Sequence, residues 1–189
     1  MHNPSDHADA GATADAAGSG KTTTTAAASA NASASTTQAW RTDGVCVVRG
    51  DQLDTNTPQT PGMQRAAAIT HARVGAQKLW AGTVTIHPNA KTGAHHHGAL
   101  ESVIFVIRGR ARMRWGDHLE FTAEAGPGDF IYVPPYVPHQ EINASENAPL
   151  ECVLVRSDNE AVVINLDIAA VEQPENVPWV DPIHRHPCV

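Results

Sequence analysis

Three consecutive histidines, His95, His96 and His97, stand ahead of Glu101 and of an apolar run that closes at Gly109. Side chains alternate along a strand, so His95 and His97 share one face while His96 points to the other. Two imidazoles at that spacing can hold one ion. A third histidine, His139, follows a short apolar strand and a turn stiffened by Pro134, Pro135 and Pro138. Stiffening matters because a ligand arriving from a distant strand is then already placed, with no ordering entropy left to lose. Taken singly, a histidine on an apolar face is more often a hydrogen-bonded core residue than a ligand.

The elements that must position these side chains are short strands. Apolar runs rich in Val and Ile fall at residues 45–48, 79–87, 103–107, 111–115, 119–123, 130–133, 150–155 and 162–168. Turn signals separate them, among them Pro88-Asn89, Arg108-Gly109, Gly116-Asp117 and Gly126-Pro127-Gly128. Closely spaced strands of this kind predict an all-β antiparallel sandwich or barrel. Only residues 64–72 read as helical, and weakly.

The two histidine segments resemble the paired motifs of the cupin superfamily. Gly128, Pro134, His139 and Asn143 match the second motif, with Tyr136 in place of its usual middle glycine. In the first motif Asn89 stands where a glycine is common, a mild departure because Asn tolerates positive φ. The resemblance covers about residues 75–168. It implies a single small cupin: a double-stranded β-helix, or jelly-roll barrel. A divalent transition metal (iron, manganese, nickel or zinc) would be held there by His95, His97, Glu101 and His139. Against the common spacing Glu101 sits one position early, and Ser102 occupies the expected ligand slot. Either a bulge carries Glu101 inward, or the site has three histidines with Glu101 behind them.

Around such an ion, Trp80, Val84, Ile86, Phe105, Ile107, Phe130 and Tyr132 are candidates for an apolar lining, with strand parity left open. Tyr136 and Gln140, beside the second-motif histidine, are the polar groups expected to reach a bound ligand. Arg108, Arg110, Arg112 and Arg114 alternate along one strand. They are expected to face water and pair with Glu120 and Glu124, leaving Met113 and Trp115 inside. His87 at a strand edge and His96 are read as lying outside the site.

Residues 1–39 contain no Val, Ile, Leu, Phe, Trp or Tyr. Such a segment buries too little apolar area to offset its ordering entropy, so a disordered tail is expected. Its Gly18-Ser19-Gly20-Lys21-Thr22 lacks the first glycine and the preceding strand of a phosphate loop. The barrel with its lead-in is placed at 40–170. A proline-rich extended arm follows at 171–189, whose Trp179 and Ile183 are expected to pack on the barrel or strap a partner subunit. His184, His186 and Cys188 read as tail, because a terminal trio offers no fixed geometry.

Thirteen Lys and Arg against 20 Asp and Glu give a formal charge of −7, which disfavours a nucleic-acid partner. No apolar stretch approaches the length that crosses a bilayer, and the amino terminus lacks a signal-peptide pattern. A soluble, cytoplasmic protein without a membrane partner is expected. Three widely spaced cysteines, Cys46, Cys152 and Cys188, suggest reduced thiols.

Two function classes follow. One is a metalloenzyme of dioxygenase or isomerase type acting on a small organic molecule, in which Glu101, if free of the metal, would serve as a base. The other is a non-catalytic cupin that binds a small molecule or a metal. The histidine trio weighs against a metal-free, epimerase-like cupin. Homodimerisation is the expectation for either class.

Overall fold

The computed structural model describes residues 44–159 and 162–179. The tail, the Gly-Lys-Thr stretch, Ile183, His184, His186 and Cys188 lie outside the described residues. Within them, two sheets face each other. One has the order β1 (Met63–Ile69), β2 (Trp80–Ile86), β9 (Leu150–Arg156), β4 (Ser102–Arg108), β7 (Phe130–Val133). The other runs β10 (Ile164–Asn165), β3 (His95–His96), β8 (His139–Asn143), β5 (Ala111–Trp115), β6 (Phe121–Ala125), β11 (Glu175–Asn176). This is the double-stranded β-helix that the cupin resemblance implied.

Alternation decides which residues fill the space between the sheets. Ile104 and Val106 of β4, Leu150, Cys152 and Leu154 of β9 and Val84 and Ile86 of β2 face in, and Ala111 and Met113 of β5 meet them. Along β4 this leaves Val103, Phe105 and Ile107 pointing outward, with Ile107 47% exposed. Phe105 packs instead on Phe130 at 4.8 Å between ring centroids. Of the expected lining, Phe105, Ile107, Phe130 and Tyr132 therefore lie on the outer side of their sheet, whereas Val84 and Ile86 are core. The inward parity was undecidable from a run in which every residue from Val103 to Ile107 is apolar.

Residues 64–72 are a correction. They form β1, with one helical turn at His71–Val74 after it. Their alanines favour helix in isolation, but pairing along β2 from Met63↔Ile86 to Ile69↔Ala81 satisfies a full edge of backbone. The backbones approach so closely that a Cβ at Gly82 would collide with the Ala66 carbonyl. Residues 45–48 form no strand, and Val47 is 79% exposed. Of residues 162–168 only Ile164–Asn165 pairs, against His96 and His95.

The described part of the arm lies on its own chain. Glu175–Asn176 runs parallel to Phe121–Thr122, and Arg114 donates to the Val171 carbonyl at 2.6 Å. The arginine stripe does face outward: Arg112 bonds Glu124 at 2.8 Å and Arg108 pairs with Glu151. Glu120 takes no arginine among these pairs; its carboxylate accepts from the His118 amide.

Candidate metal centre

The three histidines meet at one end of the barrel, beyond the apolar core. β3 and β8 set His95 opposite His139 in register, and His97 leaves β3 on the same side as His95. Ring centroids are 4.4 Å (His95 and His139), 4.9 Å (His95 and His97) and 5.1 Å (His97 and His139) apart. One ligand-capable nitrogen from each ring lies within 4.8 Å of the others, and all three residues are buried. His96 takes the opposite face, where its Nδ1 accepts from the Gly98 amide.

Each of the three rings makes the same backbone bond. Nδ1 of His95 lies 2.9 Å from the Gly93 carbonyl, that of His97 2.7 Å from Val162, and that of His139 2.9 Å from Val137. A carbonyl only accepts, so in each ring Nδ1 carries the hydrogen and Nε2 the lone pair. Nε2 of His139 is buried with no hydrogen-bond partner. Burial first, then the Arg156 charge, pushes His97 down to about 3, and burial pushes His139 down as well. His97 and His139 are thus neutral near pH 7. Three imidazoles with fixed tautomers, one of them lacking any partner at Nε2, fit a bound divalent ion.

Glu101 is not brought to this cluster. Inward parity on β4 begins at Ser102, which opposes Val133 on one side and Arg156 on the other. The bulge on this strand lies at its far end, between Val106 and Arg108. Glu101 is exposed, and its carboxylate accepts from the Tyr132 hydroxyl at 2.6 Å. Ser102 occupies the inward slot, 2% exposed, with its Oγ buried and unpartnered.

Two charged residues that were not singled out as site groups face inward here. Arg156 is 8% exposed, and its Nη2 lies 3.1 Å from Nε2 of His97, while its Nε is buried without a partner. Its sequence signal is parity with Leu150, Cys152 and Leu154, blurred because Val153 and Val155 are also apolar. Glu141 follows His139 by two positions on the same face and is 8% exposed. Its charge favours the cationic forms of Arg156 and His139.

The expected ligand-reaching groups divide. Gln140 is buried but spends its amide on the Thr92 carbonyl at 2.7 Å. Tyr136 is 65% exposed at φ 61°, the left-handed turn its missing glycine would have taken, and sits 6.1 Å from the His96 ring. Tyr132 lines the wall of a cavity of about 830 Å³ that reaches His139, together with Trp115, Phe130, Val137 and Trp179. Phe105 is not among its lining residues.

Comparison with known proteins agrees with the barrel. The family described as "Cupin domain" matches residues 82–156. No curated protein matches the chain. A double-stranded β-helix protein from Klebsiella pneumoniae is 17% identical, with 65% of this chain and 98% of that one covered and a TM-score of 0.51. KdgF from Halomonas is 16% identical, with 62% and 96% covered and a TM-score of 0.50. A variant of oxalate decarboxylase from B. subtilis is 23% identical, with 60% of this chain covered and a TM-score of 0.51. This chain spans only 30% of that enzyme. At these identities the likeness is one of fold.

Proposed function

We propose that this chain, whose residues 82–156 match the cupin-domain family, is a metal-binding cupin that acts as a metalloenzyme on a small organic molecule, of dioxygenase or isomerase type. His95, His97 and His139 would hold the ion through Nε2. The observation that carries this is the shared Nδ1-to-carbonyl bond, which turns three lone pairs to one side and leaves that of His139 without a partner. When bound there, an iron, manganese, nickel or zinc ion would supply Lewis acidity to substrate oxygens.

The chain's own residues do the rest. The Gly93, Val137 and Val162 carbonyls fix the ring tautomers, so each Nε2 carries its lone pair before an ion arrives. Val133 lines the cavity that reaches His139, and the aromatic cleft there would admit a substrate. Glu101 does not reach this space from its bond to Tyr132 and is a poor candidate for the base. Glu141, inward and buried, is the carboxylate placed to take up a proton near His139.

Calorimetric titration with zinc and manganese tests this reading. One site per chain is expected, with binding lost in His97→Ala and His139→Ala and kept in His96→Ala. Equal loss from all three would overturn it. A second reading, a non-catalytic cupin, is favoured by one observation: the Arg156 guanidinium already satisfies Nε2 of His97. In its small-molecule-binding form that reading predicts no titratable metal site, and in its metal-binding form a metal site without turnover.

A further inference from the structure

Arg156 is built into the barrel in a way that packing alone does not account for. A guanidinium in a protein interior is ordinarily held by carboxylates or carbonyls on all its edges, because each bare buried donor is costly. Here Nε is buried with no partner, and Nη2, on the same edge, is satisfied only by Nε2 of His97. Opposite it in register, Ser102 presents a second buried, unpartnered polar atom. Glu141 lends Arg156 a favourable charge without taking up its Nε.

On the metal reading, His97 turns its lone pair to the ion and can no longer accept from Nη2. The Nε–H and Nη2–H of Arg156 then stand free side by side, the fork that matches the two oxygens of a carboxylate. The charge balance points the same way. Where the common spacing puts an anionic ligand, this chain has Ser102, and with a divalent ion at the trio Glu141 would be the one negative group acting on Arg156 among the described residues. The cavity of about 830 Å³ that reaches the trio at His139 is walled by Trp115, Phe130 and Trp179, far more apolar surface than a small inorganic anion would use.

We propose that the substrate carries a carboxylate head, held on the Nε–Nη2 edge of Arg156 beside the three histidines, and an apolar, ring-sized body that lies in the cleft between Trp115, Phe130 and Trp179. Arg156 is thus the group that selects an acid over its neutral analogue, and Ser102 Oγ donates to the same head. Trp179 brings the carboxyl-terminal arm into substrate selection, which gives the parallel strand β11 a role beyond closing the sheet edge. The inference rests on the metal reading above.

The test uses the full chain loaded with zinc and three probes in calorimetry: phenylacetate, its neutral isostere phenylacetamide, and acetate. Phenylacetate should bind about tenfold or more tighter than phenylacetamide, and the ratio should fall to near one in Arg156→Met. Arg156→Lys, which keeps the charge but not the fork, should fall between. Trp179→Ala, at an exposed position, should narrow the gap between phenylacetate and acetate. Elemental analysis of the same samples separates the two claims. Acid and amide binding alike on protein that holds its zinc would overturn the inference alone. Protein that takes up no zinc would overturn the metal reading and this inference together.

Discussion

Tyr132 donates its hydroxyl to the carboxylate of Glu101 at 2.6 Å, on the outer side of β4 and β7. The bond holds Glu101, the carboxylate that the sequence offered to the metal, away from the histidines. It also raises the Tyr132 hydroxyl above its ordinary pKa, because the neighbouring carboxylate disfavours a phenolate. Glu101→Gln is therefore expected to leave metal affinity within about threefold and to lower the Tyr132 pKa, followed by ultraviolet titration. A large loss of metal would show that Glu101 swings inward on binding.

Ser102 gives the complementary experiment. It holds the inward slot directly across from Arg156, whose Nη2 meets His97. Ser102→Glu places a carboxylate where it can meet both the ion and the guanidinium. Metal affinity should rise by about tenfold, and binding of phenylacetate should weaken because its place on Arg156 is taken. Unchanged metal affinity with unchanged acid binding would mean that position 102 does not face the site.

The pH dependence has a defined sign. In the metal-free protein His97 is held at about 3 and His139 is also lowered, whereas both return to about 6.5 on unfolding. As pH falls, the unfolded chain takes up these protons first. The stability they contribute is complete above about pH 6.5 and is lost as the pH falls from there toward 3. Urea midpoints should decline steadily between about pH 7 and pH 4.5, and less so in His97→Gln. Equal slopes in the two proteins would contradict the shift.

Asn143 closes the opposite end of the barrel. Its Nδ2 lies within 3.1 Å of the Ile86, His87 and Ala148 carbonyls, and its Oδ1 accepts from the Ser145 amide. Asn143→Ala leaves those buried groups bare. It should cost about 2–3 kcal/mol in urea unfolding with metal stoichiometry unchanged, since His139 lies at the other end of β8. Loss of metal without loss of stability would refute this division of labour.

The histidine trio was readable because its geometry rests on alternation over two residues and on a proline-fixed turn, both local properties. Glu101 and Ser102 were not separable, because the choice turns on which face of β4 is buried. Val103, Ile104, Phe105, Val106 and Ile107 are equally apolar, and only the pairing of Ser102 with Val133 and Arg156 sets the parity. Phe105 was misplaced for the same reason, whereas Tyr132 does line the cavity that reaches His139. Arg156 is a property of tertiary structure: its importance lies in meeting His97, 59 positions away in the chain. At residues 64–72 long-range strand pairing overrode the helical preference of alanine.

The central claim is a metal held by His95, His97 and His139, and elemental mass spectrometry tests it most directly. The protein should be untagged and purified without a nickel column. The account predicts close to one equivalent of iron, manganese, nickel or zinc per chain, absent from His139→Ala and retained in Glu101→Ala. No metal in the purified protein and no uptake from any of the four ions would contradict it.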